Sequence, residues 1–393
     1  MGLSGVPASE RIHIGFFGMR NAGKSSLINA ITGQNVSIVS DTPGTTTDPV
    51  TKTMELLPIG PVVLIDTPGV DDIGDLGKMR VKKAHEFLTR CDLVVIVIDA
   101  TVGKSSGDAD LITVLKEKKI PYIVCYNKSD LVGHCTCDDN EICVSAKDDY
   151  NINELKMRIA GLVGTQKTKY IVADRISAGD IVVLVIPIDE SAPKGRLILP
   201  QQQVLREVLD YGGICVCVQP DELSKTLDSL NIKPKVVITD SQAFKEVAEI
   251  VPEEIMLTSF SVLFMNYKGE LNSALENASK ISSLKDGDVV LVAEGCTHHR
   301  QCNDIGTVKI PAMLKNFTKA DLSFEFCSGH DFPDDLSKYS LIIHCGGCML
   351  TENEVKARQS RANTLDIPIT NYGITMAYVN GILERATEIF KLR

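Results

Sequence analysis

Two sets of residues in this chain have the types and the spacing to do chemistry. Ahead of residue 150, Gly18-Met-Arg-Asn21-Ala22-Gly23-Lys24-Ser25-Ser26 has the pattern of a phosphate-binding loop running into a helix. Its glycines let backbone N–H groups close on phosphate oxygens at a helix N-terminus, Lys24 reaches the β and γ phosphates, and Ser25 can ligate Mg2+. Far behind it, Cys296-Thr-His298 and His344-Cys345-Gly-Gly-Cys348 supply three thiols and two imidazoles. Such donors suit a zinc ion or an iron–sulfur cluster. A structural zinc site usually shows two local ligand pairs, whereas here one cysteine stands 49 positions from a pair. A [4Fe-4S] cluster with three thiolates and one exchangeable position fits that spacing better.

Further nucleotide motifs follow the first in order. Asp66-Thr-Pro-Gly69 offers a carboxylate that can hold the metal through water and an amide that can sense the γ-phosphate. In Asn127-Lys128-Ser-Asp130 the last carboxylate can accept both N–H groups on the Watson–Crick edge of guanine, which favours GTP over ATP. Ser145-Ala146-Lys147 can back the guanine O6 with an amide. Residues 40–48 form a polar loop suited to a mobile switch, in which Thr45 and Thr46 are candidate second Mg2+ ligands. Gly69 is followed by Val70, so the water-positioning glutamine of Ras-like proteins is missing and hydrolysis must use another device.

The elements that must position these groups are legible as apolar runs. Residues 12–17, 62–65, 93–98, 120–125 and 142–144 read as strands, each ending in one of the motifs or in Asp99. That is where a parallel α/β sheet binds its ligands. In the middle of the chain, residues 181–188, 214–218 and 236–239 read as three strands, with helices at 201–210 and 244–250. Cys215 and Cys217 alternate within one strand and face one side, and core packing is the reading for both. The open sheet edges invite pairing in a homodimer. Strands at 288–293 and 341–343 each end in a cysteine loop, and parallel pairing would put both loops on one rim. Gly346-Gly347 lets Cys345 and Cys348 turn toward one point, and Thr351-Glu-Asn-Glu354 opens the next helix with a capping box.

Composition bounds the rest. At 393 residues, two or three domains are expected. The fold class is α/β, a P-loop GTPase domain over 8–168 followed by two smaller α/β units, a dimerisation domain over 175–265 and a cluster-binding domain over 266–393. A net charge of −10 disfavours nucleic acid as a partner. The longest apolar stretches are far short of a membrane span, and no signal peptide opens the sequence. A cytoplasmic protein is expected, with its twelve cysteines reduced rather than in disulfides.

Residues 10–165 resemble the small GTPases of the TrmE and Era group. The resemblance implies that Thr46 is the second Mg2+ ligand. It also implies that K+, held partly by Asn21, does the electrostatic work of an arginine finger. Over nearly the whole chain, the order Cys-x-His, long gap, His-Cys-x-x-Cys behind such a GTPase resembles the HydF family, the maturation GTPases of [FeFe]-hydrogenases. That resemblance implies a scaffold that receives a di-iron precursor from two radical maturation enzymes and delivers it to apo-[FeFe]-hydrogenase. Cys296, Cys345 and Cys348 would hold the cluster, its fourth iron open or loosely held by His298, His344 or Asp304. The alternative is a zinc-containing GTPase of ribosome or tRNA processing.

Overall fold

The computed structural model describes residues 6–33, 50–67, 87–133, 138–164, 169–188, 195, 197–296 and 304–391. They belong to two compact units, Met1–Lys167 and Thr168–Arg393.

The first unit is built on a six-stranded sheet of β1 (Ile12–Phe17), β2 (Val50–Leu56), β3 (Gly60–Asp66), β4 (Leu93–Asp99), β5 (Tyr122–Asn127) and β6 (Glu141–Cys143), in the order β2-β3-β1-β4-β5-β6. All neighbours are parallel except β2 and β3. Parallel strands are covered on both faces, and β4, Leu-Val-Val-Ile-Val-Ile-Asp, accordingly buries every apolar residue. Helices α1 (Lys24–Thr32), α2 (Ser106–Glu117) and α3 (Ile152–Val163) do the covering. Leu27, Ile28 and Ile31 of α1 share one core with Ile152, Leu155 and Ile159 of α3 and with Ile14, Leu64 and Val95 of the sheet. Leu115 of α2 closes the opposite face over Val94 and Ile96. Strand β2 is absent from the sequence reading, and its burial pattern explains why. It is an edge strand that turns Thr51, Thr53 and Glu55 outward and carries Lys52 on its inner face, with little apolar signal.

The second unit holds two four-stranded, wholly parallel sheets. One contains β7 (Ile181–Val185), β8 (Ile214–Val218), β9 (Val236–Thr239) and β10 (Met256–Ser259), in the order β10-β9-β7-β8. Helices α4 (Leu199–Asp210), α5 (Leu223–Ser229), α6 (Phe244–Ile250) and α7 (Phe260–Lys268) accompany it, and α8 (Leu271–Ala278) crosses to the second sheet, where Asn277 Nδ2 donates to Ile369 O at 3.1 Å. The other contains β11 (Val289–Ala293), β12 (Ser323–Cys327), β13 (Leu341–His344) and β14 (Ile369–Asn371), in the order β12-β11-β13-β14, with α9 (Ile310–Thr318), α10 (Glu352–Thr364) and α11 (Tyr372–Val379), after which α12 (Leu383–Thr387) returns to the first sheet. The structure adds β10, β12 and β14 to the expected strands; these are short or lie at sheet edges.

The two sheets of this unit are knit together. Ala386 and Ile389, from the end of the chain, sit fully buried in the cores of the first sheet, and Thr258 Oγ1 donates to Ala386 O at 2.8 Å. Asn371 Nδ2, at the end of the second sheet, donates to Ser261 O at 2.7 Å. A boundary at 265/266 would fall inside α7, whose Phe260–Lys268 span belongs to both halves.

Candidate functional site

The first site grows from the C-terminal ends of β1, β3, β5 and β6. Gly18 leaves β1 at φ +143, and a Cβ there would lie 2.1 Å from Val97 O. Gly23, at φ +90, brings the loop so close to Asn127 that a Cβ would sit 2.3 Å from Nδ2. Both positions therefore need glycine. Asn21 is exposed in the left-handed region, φ +63. Lys24, 7% exposed, donates to Gly18 O and Met19 O at 2.8 Å each, so its ammonium is held by the loop it serves. Ser25 Oγ donates to Asp66 Oδ2 at 2.5 Å. Burial pushes the Asp66 carboxyl up, against the pull of the Ser25 hydrogen bond and the Lys24 and Lys52 charges. A divalent cation beside Ser25 would favour the ionised form.

Asn127 is the clamp of this site. Its Nδ2 donates to Ala22 O at 3.0 Å while its Oδ1 accepts from Ala146 N at 3.1 Å, tying the phosphate loop to both guanine motifs. Asp130 Oδ1 accepts from Ser145 Oγ at 2.9 Å, and Lys147 Nζ lies 4.0 Å from Oδ2, which orients the carboxylate. Lys128 adopts φ +65 and pairs with Asp99 at 2.5 Å. A cavity of about 730 Å³ is lined by Gly23, Ser26, Asn127, Lys128, Asp130, Ala146 and Lys147. Asn29, Gly33 and Asp149 also line it and were not anticipated; they carry no motif beyond their place beside α1 and the guanine loops. Thr45, Thr46 and Gly69 lie outside the described residues.

The second set of residues lies where β11 and β13 end. The strands are parallel with Ala293 opposite His344, and Cys345 N donates to Ala293 O at 2.9 Å. Both cysteine loops therefore leave the same rim. Gly295 N donates to Cys345 Sγ at 2.9 Å and Gly347 N approaches it at 3.4 Å, so the residue before Cys296 is fastened to Cys345. Gly347 takes φ +68 to make the turn. Burial pushes the Cys345 thiol up and the Cys348 thiol to about 12, the latter raised further by the charge of Cys345. Ligation would have to displace their protons. Buried Lys268 donates to Cys348 O at 3.3 Å and Leu350 O at 2.8 Å. Among the described residues, no three His, Cys, Asp or Glu side chains are grouped as a metal site.

His344 has a different role from the ligand expected of it. It is 2% exposed, with Nδ1 2.8 Å from Cys345 O and Nε2 3.1 Å from Arg358 Nη1. Burial and the Arg358 charge lower it to about 4, so the ring is neutral, donating from Nδ1 and accepting at Nε2. Both nitrogens brace the loop in this structure. Asp304 caps the turn that follows it, accepting from Thr307 N at 2.8 Å and Thr307 Oγ1 at 2.9 Å. His298 lies outside the described residues.

Behind His344 stands a network the sequence reading missed. Arg358 and Glu354 form an ion pair at 2.9 Å with both side chains under a tenth exposed, and Arg358 Nη2 also donates to Gly329 O at 2.6 Å. His330 Nδ1 lies 3.0 Å from Glu354. Thr351 does cap α10, accepting from Glu354 N at 3.3 Å, but the Glu354 side chain faces Arg358. The i,i+4 spacing of opposite charges on a helix was the available signal.

The other cysteines divide. Cys215 packs against a core of the first sheet of its unit, as expected, but Cys217 is exposed on the edge strand β8. Interaction with its neighbouring thiol lowers Cys217 to about 7 and raises Cys215. Cys143 is disulfide-bonded, against the expectation that all thiols are reduced.

Three family descriptions match the chain: a 50S ribosome-binding GTPase over residues 13–128, the hydrogen maturase F dimerization domain over 171–269, and the hydrogen maturase F tetramerization domain over 272–389. The tRNA modification GTPase MnmE of Legionella pneumophila (strain Corby) is 36% identical over 170 residues, 42% of this chain and 37% of that protein. GTPase Der of Kosmotoga olearia is 36% identical over 129 residues, 32% of this chain and 29% of that protein. The chain thus spans well under half the length of the curated relatives it matches. Among solved structures, Era of Aquifex aeolicus bound to GDP.AlF4- is 22% identical with a TM-score of 0.35, covering 53% of this chain and 91% of that one.

Proposed function

Because the chain belongs to the hydrogen maturase F family, joining a GTPase domain to that family's dimerization and tetramerization domains, we propose that it is a scaffold of [FeFe]-hydrogenase maturation. In this reading it carries a [4Fe-4S] cluster on Cys296, Cys345 and Cys348. It receives a di-iron precursor from radical maturation enzymes and passes it to apo-[FeFe]-hydrogenase, with GTP binding and hydrolysis as its switch. The observation that supports this most is the fastening of Gly295 N to Cys345 Sγ, which gathers two cysteine loops on one sheet rim. The donor set suits the group: thiols on glycine-bearing loops, with backbone N–H groups aimed at sulfur. When bound, the cluster supplies an iron position open to a further ligand. The chain's own work is to hold the three thiolates, with His344 and Arg358 bracing the second loop and Lys268 binding its carbonyls.

In the nucleotide site, Lys24 would turn from the Gly18 and Met19 carbonyls to the β and γ phosphates, and Ser25 and Asp66 would hold Mg2+. Asp130 would read guanine, held in place by Ser145. Exposed Asn21, already in its left-handed conformation, would help hold K+. GTP hydrolysis is therefore expected to be at least about tenfold faster in potassium than in sodium, the scale of one added electrostatic contact to the transition state. Equal rates in the two salts would rule out the role given to Asn21.

Purification without oxygen should yield iron and sulfide with the EPR signal of a reduced cluster. Cys345→Ser should lose most of the iron and fail to activate apo-hydrogenase. Zinc without iron would sink the scaffold reading and favour a zinc-containing GTPase. The negative charge of the chain argues against that alternative and against nucleic acid as a partner. Among the described residues no helix is long and apolar enough to cross a membrane, which supports a cytoplasmic placement. A homodimer paired along β8 would satisfy that sheet edge.

A further inference from the structure

The exposed edge of β8 carries two cysteines to which the maturation reading gives no role. Strand β8 ends its sheet, and among the described residues no strand pairs with its outer edge. It has five residues, Ile214–Val218, with Cys215 and Cys217 on one face opposite Val182 and Leu184 of β7. A disulfide between them is disfavoured, because residues two apart in a strand sit about 6.6 Å apart at Cα, at the far end of the disulfide range.

A second copy changes what these thiols can do. A two-fold axis perpendicular to the sheet pairs β8 with itself in antiparallel fashion and leaves each face on its own side. Full overlap of a five-residue strand puts Val216 on that axis. Cys215 of each copy then stands opposite Cys217 of the other, and four thiols share one face. Directly opposite Cβ atoms lie about 4.5–5.5 Å apart in such a ladder. Four sulfurs at about 2.3 Å from a tetrahedral zinc are about 3.8 Å apart. Side chains leaning inward by an ångström or so each close that gap.

We propose that Cys215 and Cys217 of two copies form a four-thiolate site for a soft divalent cation such as zinc, on the face of the sheet that joins them. Binding releases the thiol protons to solvent and ties the two copies together across their weakest elements, the short edge strands. The proposal rests on the dimer reading above, and it concerns a site separate from Cys296, Cys345 and Cys348.

The test uses the full chain, stripped of metal and cluster, with cadmium as the probe. Bound cadmium is counted by mass spectrometry of the intact protein and by its thiolate charge-transfer absorption, for the parent chain, Cys217→Ser and Cys215→Ser/Cys217→Ser. Half an ion per chain should be lost in both variants, and the parent dimer should dissociate at a concentration at least tenfold lower with cadmium than without. An unchanged cadmium count in dimeric variants overturns the site and leaves the dimer standing. Loss of a whole ion per chain overturns the shared geometry. A chain that sediments as a monomer with and without cadmium overturns the dimer reading and this site with it. A covalent dimer on a non-reducing gel, dependent on Cys217 and formed without metal, replaces the metal site with a disulfide.

Discussion

Lys24→Ala is expected to lower kcat for GTP hydrolysis by about 10²–10³, the cost of removing one preorganised donor from a developing anion. The side chain is 7% exposed and its ammonium already rests on the carbonyls of Gly18 and Met19. It is therefore held at the phosphate loop before nucleotide arrives, and exchanges those carbonyls for phosphate oxygens on binding. Alanine also leaves the buried Gly18 carbonyl without its charged donor, at roughly 1–3 kcal/mol, whereas Met19 O keeps Ala22 N at 3.3 Å. The nucleotide-free protein should melt earlier for that reason. Steady-state hydrolysis and a thermal melt, both without and with GTP, separate the two effects. Activity within a few-fold of the parent would show that Lys24 does not face the transferred phosphate.

Arg358→Met should be the most damaging single change in the second unit. Breaking a buried pair by removing one partner costs about 3–5 kcal/mol, since the remaining charge stays desolvated. The lower end applies here, because His330 still lies 3.0 Å from Glu354. The same substitution removes the donor to His344 Nε2 and the contact to Gly329 O, so the loop carrying Cys345 and Cys348 loses its brace. Urea unfolding should show the loss, and Arg358→Met/Glu354→Gln should recover part of it. Iron retained after reconstitution should fall in Arg358→Met although every proposed ligand is intact. A variant with parental stability and full iron would show that the network is ornamental.

The nucleotide site was legible because its chemistry is local. Each motif is a short string behind an apolar run, and the strand ends that carry Gly18, Asp66 and Asn127 follow from the run alone. What was not legible is mutual: the clamp of Asn127 on Ala22 and Ala146 joins residues more than a hundred positions apart. Parallel pairing of β11 with β13 was readable from two buried apolar runs. The commitment of both His344 nitrogens was not, since it depends on Arg358, fourteen residues on, turning inward from a helix. Edge strands escaped for the opposite reason. Residues such as Thr51, Thr53 and Glu55 on β2, or Glu325 on β12, face outward and weaken the apolar signal that announces a strand. The alternation of Cys215 and Cys217 placed them on one face correctly, but only the strand's edge position exposes the second.

The burial of Ala386 and Ile389 against the β7–β10 sheet has a consequence for synthesis. A ribosome makes that sheet some 130 residues before it makes the side chains that complete its core. The first unit can close while translation continues, because its contacts are internal. The second must wait until Ala386 and Ile389 have been made. During that interval its parallel strands stand with part of their apolar surface uncovered.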